Sequence, residues 1–266
     1  METKKYLEKF YEECDEDGRL TSKHGWVEYA TTMTFLQKYL RPGMRVLEIG
    51  AGTGRYSHAL AQQGYMVDAV ELLEHNIELF RQHTQPGERV TIAQGNAVDL
   101  SGFASGTYDV TLLLGPMYHL FAQEEKEKAL GEAIRVTKTG GVVFAAYCMG
   151  DASVLAYGFG QGKIRELIQK RMLDPETFET FSHPWDIFEL YRKEDIDALR
   201  GKFPVTQLHF VAADGFTNHM RDTVDQMDDE TYQLYLKYHL AVCQRQDMVG
   251  VSHHTLDVFR KNGGGK

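Results

Sequence analysis

Two carboxylates flank a run of three glycines, and that spacing is the chemistry this chain has to explain. The segment Val46-Leu47-Glu48-Ile49-Gly50-Ala51-Gly52-Thr53-Gly54 joins an apolar stretch, an acid and a glycine-rich bend. A second acid, Glu71, closes the next apolar stretch. Glycine has no side chain to clash, so such a bend lets backbone approach a bound molecule closely. Three glycines in five residues cost backbone entropy without adding packing, which disfavours a bend that holds nothing. The acid beside the bend suits a positive group. The acid that ends the following stretch suits a sugar diol, because one carboxylate can accept from two hydroxyls.

Glycines between strand and helix also serve dinucleotides, through G-x-G-x-x-G and a helix N-terminus facing a pyrophosphate. Here the spacing is G-x-G-x-G, Arg55 takes the place of the third fingerprint glycine, and Glu48 would repel a pyrophosphate. A cationic nucleoside fits better. S-adenosylmethionine carries an ammonium, a sulfonium and a ribose diol, and no phosphate. With this order of features the chain resembles the class I S-adenosylmethionine-dependent methyltransferases, closely over residues 42–147 and loosely beyond. Gln94-Gly95-Asn96-Ala97-Val98-Asp99-Leu100 resembles the family's adenine-contacting segment. Asp109 to Leu120 resembles its fourth strand and the active-site loop that follows.

The resemblance implies S-adenosylmethionine as cofactor, held by Glu48, Gly50, Ala51, Gly52, Gly54, Glu71, Leu72, Asn96, Ala97, Leu114 and Gly115. In this reading Glu71 holds the ribose diol, and Glu48 acts on the ammonium directly or through water. Asn96 and Ala97 lie along the adenine, and the Leu114 and Gly115 carbonyls face the ammonium. Asp99 either helps there or caps a short turn.

Tyr118 and His119, which follow Gly115-Pro116-Met117, are the candidate catalytic residues. A histidine there titrates near neutral pH and could take a proton from an acceptor; the alternative is a structural histidine bonded to backbone. A base is needed only if the acceptor must lose a proton, and positioning alone can recover about 7–11 kcal/mol of barrier. Arg55 is read either as a carboxylate ligand or as a solvated side chain. Trp26 and Tyr29 either close over the cofactor or pack in the core. His183 and Trp185 are read as acceptor-pocket residues or as loop packing. The second G-x-G-x-G string, Gly158 to Gly162, lacks a preceding apolar strand and reads as a loop. No metal is expected: the histidines are scattered without H-E-x-x-H or Cys/His clusters, and His253-His254 should face opposite sides of a strand.

The elements that must position these groups follow from periodicity. Strands are expected at Arg45–Ile49, Tyr65–Val70, Val90–Ala93, Asp109–Leu114, Gly141–Tyr147, Val205–Val211 and Thr255–Arg260. Helices are expected at Gly54–Gln63, Leu73–His83 and Glu124–Val136, after two amphipathic helices in residues 1–42. An acidic turn, Asp15 to Gly18, should separate those two. Strand–helix alternation implies a parallel sheet, whose strands all end on one ligand-binding edge. The predicted fold is α/β, a three-layer α-β-α sandwich. The resemblance implies a seven-stranded sheet with an antiparallel last strand. A core at 43–147 carries helical cap insertions at 148–193 and 212–251, in one domain, and the tail 261–266 should be disordered.

The chain has 266 residues and a formal net charge of -9, with no basic footprint for nucleic acid. Three cysteines without C-x-x-C spacing, no leader pattern and no apolar run long enough to span a bilayer point to a cytoplasmic enzyme with no membrane partner. The expected function is methyl transfer to a small molecule. Leu114-Gly115-Pro116-Met117 lacks the Asn/Asp-Pro-Pro-Tyr/Phe pattern of enzymes that methylate amino groups of nucleic acids. An RNA or protein methyltransferase, or a non-catalytic cofactor-binding module, remain the alternatives, and a nicotinamide dehydrogenase is disfavoured by Glu48 and Arg55.

Overall fold

Alternating apolar strands and amphipathic helices build one eight-stranded sheet flanked by helices. The computed structural model describes residues 2–13, 18 and 20–263. The acidic turn at 15–17 and the last three residues of the tail lie outside the described residues. The strands are β1 Arg45–Ile49, β2 Met66–Glu71, β3 Val90–Gln94, β4 Tyr108–Leu113, β5 Thr137–Met149, β6 Leu190–Tyr191, β7 Val205–Ala212 and β8 His254–Lys261. Their order is β3-β2-β1-β4-β5-β8-β7, with β6 pairing the end of β5. β1 pairs in parallel with β2 and β4, and β4 with β5, whereas β8 is antiparallel to both β5 and β7. The expected antiparallel last strand is therefore present, inserted between β5 and β7.

The central strands are apolar almost throughout because both of their faces are covered. Val46, Leu47, Ile49, Leu112, Leu113, Val143, Phe144, Val258 and Phe259 are all essentially without solvent contact. Glu48 of β1 and Asp257 of β8 are acids buried within this set.

The N-terminal helices are α1 Glu2–Glu13 and α2 Lys23–Tyr39, the latter capped by Ser22, whose hydroxyl accepts from the Gly25 amide. The core helices are α3 Arg55–Gln62, α4 Glu74–His83 and α5 Gln123–Val136. The chain leaves α5 directly into β5, which therefore starts four residues earlier than its apolar run suggests. The two-residue β6 was not expected; a strand that short carries no alternation to read. The second glycine string is also not a plain loop, since Gly158 lies within a π-helical turn, Val154–Phe159.

The two insertions behave differently. Residues 184–189 of the first reach the strand C-terminal edge. There Ile187 packs with Leu7 of α1 and Leu73, and Phe188 meets Phe10 edge-on at 5.8 Å. Glu189 N–H donates to the Tyr118 carbonyl, and Tyr191 donates its hydroxyl proton to the Met117 carbonyl. The second insertion forms helices at Arg221–Asp225, Asp229–Val242 and Gln246–Val249. Its Val224 and Tyr232 pack on Val27 of α2.

Candidate functional site

After β1 the chain turns through Gly50, Gly52 and Gly54 at φ +74°, +54° and +95°, then enters α3. The ends of this turn are clamped. A Cβ at Gly50 would lie 2.6 Å from Pro116 Cδ, and one at Gly54 would lie 2.5 Å from Phe80 Cδ2 and 2.6 Å from His58 Nε2. Its middle is open, since a Cβ at Gly52 would meet nothing within 4 Å.

Glu71 ends β2 beside that opening. Its Oε2 accepts from the Gly52 N–H at 2.8 Å, and its Oε1 accepts from the Leu73 N–H at 2.9 Å and Asn76 Nδ2 at 3.4 Å. Each carboxylate oxygen has two lone pairs, so Glu71 fixes the turn and keeps acceptor capacity. Leu72, next to it, is half-buried.

Glu48 is buried and accepts a hydrogen bond from the Ser57 hydroxyl of α3. Burial pushes its carboxyl up to about 8, with Ser57 opposing and Glu71 reinforcing the shift. A carboxyl in that state is proton-bearing at neutral pH and ionises when a cation comes within reach. Arg55 lies on the same side. Its guanidinium carbon is 5.2 Å from the Tyr29 ring and 5.8 Å from the Trp26 ring, and Nη2 donates to the Leu20 carbonyl at 3.3 Å. Arg55 Nε is buried with no hydrogen-bond partner among the described residues. A buried guanidinium N–H without an acceptor suits a ligand carboxylate. Tyr29 is packed between Trp26 and Tyr56, at 4.8 and 5.2 Å, so these aromatics form a wall beside the turn with Trp26 partly exposed.

Beyond β3, Asn96 is exposed and its Oδ1 accepts from the Val98 N–H at 3.2 Å, while Ala97 is buried. Asp99 accepts from the Ser101 N–H, which holds its carboxyl below the usual range. Asp99 thus caps the short turn that follows. After β4, Leu114 and Gly115 are half-buried, and the Leu114 carbonyl accepts from the Tyr118 hydroxyl at 2.7 Å.

His119 has both ring nitrogens engaged. Nδ1 faces the Ile187 carbonyl at 2.8 Å and so carries the proton, which leaves Nε2 to accept from the Tyr11 hydroxyl at 2.9 Å. Burial pulls its pKa down to about 4, against the Ile187 bond. This matches the structural alternative better than a proton-abstracting role, because His119 ties α1 to the first insertion. His183 and Trp185 stack on each other at 5.4 Å, with Trp185 largely exposed.

A second set of polar side chains stands on the same edge and was not expected. Asp214, just past β7, is buried and accepts from the backbone N–H of His253 at 2.9 Å and of His254 at 3.1 Å. It also lies 2.7 Å from Ser252 Oγ and accepts from Asn218 Nδ2. His254 Nδ1 is 2.9 Å from Asp214 Oδ2 and 3.4 Å from Glu28 Oε2 of α2. His253 precedes β8, so strand alternation does not part the two imidazoles. Their rings lie 5.2 Å apart, which corrects the expected opposite facing, and Asp214, His253 and His254 each bring a polar atom within 4.8 Å of the others. The available signal was topological. β8 runs against its neighbours, so its first residue, not its last, reaches the ligand edge.

Residues 46–141 match a family model described as a methyltransferase domain. A Talaromyces variabilis protein described as an S-adenosyl-L-methionine-dependent Diels-Alderase is 31% identical over 106 residues, 38% of this chain and 35% of that protein. A ubiquinone biosynthesis O-methyltransferase of Bordetella avium is 24% identical over 187 residues, 68% of this chain and 75% of its own length. The match spans between a third and a half of the length of the first curated relatives. Among solved structures, the CcbJ methyltransferase of Streptomyces caelestis superposes with a TM-score of 0.61 at 16% identity, covering 97% of this chain and 96% of that one.

Proposed function

From the premise that residues 46–141 form a methyltransferase domain, within a fold of the class I S-adenosylmethionine-dependent kind, we propose that this chain transfers a methyl group from S-adenosylmethionine to a small-molecule acceptor. The observation that carries the reading is the cradle between Glu48 and Glu71, whose middle glycine opens onto free space while its neighbours are packed shut. When bound, S-adenosylmethionine supplies an electrophilic methyl on a sulfonium.

The residues of the chain fit that molecule group by group. Glu71 accepts from the two ribose hydroxyls with the lone pairs left over from Gly52 and Leu73. Gly50, Ala51, Gly52 and Gly54 present backbone to the methionine portion, and the orphaned Arg55 Nε takes its carboxylate. Glu48, with the Leu114 and Gly115 carbonyls, balances the ammonium. Leu72, Asn96 and Ala97 border the adenine. Tyr118 and His119 stand behind the acceptor side as packing and tether. Among the described residues no helix is long and apolar enough to cross a membrane.

One observation favours a second reading. The Talaromyces relative is described by a cycloaddition that depends on the same cofactor, so a bound sulfonium could serve without giving up its methyl.

Calorimetry with S-adenosylmethionine at pH 6 and pH 8 tests the cradle. Below about 8 Glu48 carries a proton that the ammonium must displace, so affinity rises with pH and levels off above that value. A tenfold or greater gain between the two pH values is expected. Absence of binding at both ends the proposal; binding without release of S-adenosylhomocysteine in the presence of a metabolite extract favours the cycloaddition reading.

A further inference from the structure

We infer that the second insertion holds a binding site for a neutral, single-ring molecule that carries one hydroxyl, such as a phenol, and that this site is separate from the cofactor cradle. It goes beyond the methyl-transfer reading and does not depend on it. Between the end of β7 and the helix Asp229–Val242 lies a cavity of about 220 Å³. Ala212, Phe216, Met220, Tyr238, Val242 and Met248 line it, and His239 stands in the same wall.

One polar atom of that wall is unsatisfied. His239 is 4% exposed, and its Nε2 is buried with no hydrogen-bond partner among the described residues. The bond between its ring and the Ala213 backbone is therefore made at Nδ1, which carries the proton. Burial holds the His239 pKa below the usual histidine value, against Asp214 and the Ala213 bond, so the ring is neutral at physiological pH. Nε2 is then an acceptor without a donor, a costly state that a ligand hydroxyl relieves. The other polar groups of the lining are already engaged. The Tyr235 hydroxyl is 2.8 Å from that of Thr217, and the Cys243 thiol donates to the Leu240 carbonyl.

The walls narrow the ligand further. Among the described residues no Lys, Arg, Asp or Glu lines the cavity, so a charged molecule would lose its water without gaining a counter-ion. An apolar cavity of about 150 Å³ accommodates benzene, so this one has room for a ring and a substituent. Met220 and Met248 can adapt to its outline. Phe216 and Tyr238 line the cavity yet are about half exposed, which gives its mouth aromatic borders.

The sheet order keeps this site apart from the cradle. β7 stands three strand spacings from β4, through β5 and β8, or roughly 14 Å at about 4.8 Å per spacing. The loop that closes the cavity is nonetheless firm. Ser252 Oγ accepts from the Gly215 N–H at 2.9 Å, and a Cβ at Gly215 would lie 3.0 Å from His239 Nδ1.

The test titrates phenol, toluene and benzoate into the full chain by calorimetry, with and without saturating S-adenosylhomocysteine. Phenol should bind about three- to tenfold more tightly than toluene, the worth of one hydrogen bond, and benzoate should not bind. S-adenosylhomocysteine should leave the phenol affinity within twofold. His239→Phe, which keeps a ring and removes the acceptor, should bind the two neutral ligands equally. Val242→Phe, which fills the cavity, should bind neither. Nitrogen-15 spectra give an independent readout: phenol, and not toluene, should shift the His239 Nε2 resonance, identified by its loss in His239→Phe. No phenol binding, equal affinity for phenol and toluene, an unmoved His239 resonance, full phenol binding by Val242→Phe, or displacement of phenol by S-adenosylhomocysteine overturns the inference. If a variant fails to fold, the wild-type affinities and resonance decide. A wild-type chain that takes phenol and no S-adenosylmethionine sinks the methyl-transfer reading and leaves this one standing.

Discussion

The two halves of the ligand edge are assembled in opposite ways. Most of the proposed cofactor half comes from one continuous stretch: β1, the glycine turn, α3 and β2 supply Glu48, the three glycines, Arg55, Ser57 and Glu71 within residues 45–71, and only the proposed adenine border and the two carbonyls come from later loops. The other half gathers Glu28, Cys148, Asp214 and His254 from four remote segments. The first is rigid because of local backbone geometry, with clamped glycines and a carboxylate bridging turn to strand. The second is rigid because a buried carboxylate is saturated with donors drawn from a loop and a strand start. A constant ligand can be served by a contiguous motif, whereas an acceptor site built from distant insertions can change without disturbing the motif. The histidines express the same contrast. His119 holds α1 and the first insertion together through both ring nitrogens, while His254 is held between the Asp214 and Glu28 carboxylates.

The largest test of that contrast strikes the turn itself. Gly54→Ala adds a Cβ 2.5 Å from Phe80 at a left-handed φ, combining backbone strain with overpacking. A loss of about 3 kcal/mol or more is expected. Thermal melts should show Tm falling by several degrees together with loss of cofactor binding; a variant that melts like wild type would mean the turn is not clamped. Next in size, Glu71→Ala should weaken S-adenosylmethionine binding by roughly ten- to a hundredfold, the worth of charge-assisted hydrogen bonds to a diol. The same titration on His254→Gln should move little. If the two variants lose affinity equally, the halves are not separable and the comparison fails. The smallest effect belongs to Tyr11→Phe, which removes one hydrogen bond to His119. It should cost about 1 kcal/mol of stability and leave turnover near wild type. Turnover falling there by about tenfold or more with stability little changed would give His119 a base role.

Much of the frame was legible because its signals are short-range. β1 spans the predicted residues, and β2, β3, β4, β7 and β8 lie within a residue or so of their expected bounds, since short apolar runs bounded by turn residues mark strands. Glu48, Gly52 and Glu71 come together as their order along the chain implies, for one turn joins β1 to α3 and parallel pairing sets β1 beside β2. Other features were not legible. β6 is too short for any periodicity, and Ser57 beneath Glu48 is an ordinary helix residue until α3 is laid against the strand. Tyr11 and Ile187 share no local pattern with His119, so nothing in its neighbourhood along the chain says that both nitrogens are taken.

By itself, then, the order of residues determined the α/β alternation, the edge on which strands end, and a bend fit for a cationic nucleoside, because hydrophobic period, glycine geometry and strand-end acids act over a few residues. Only the tertiary structure decided that His119 is tied through both of its nitrogens and that Asp214 gathers His253 and His254. Those outcomes depend on where β8 inserts between β5 and β7 and on how α1 and α2 return to the sheet. Hydrogen-bond partners separated by tens to hundreds of residues become neighbours only once the sheet has closed its order, and it is those partners that set each imidazole's proton.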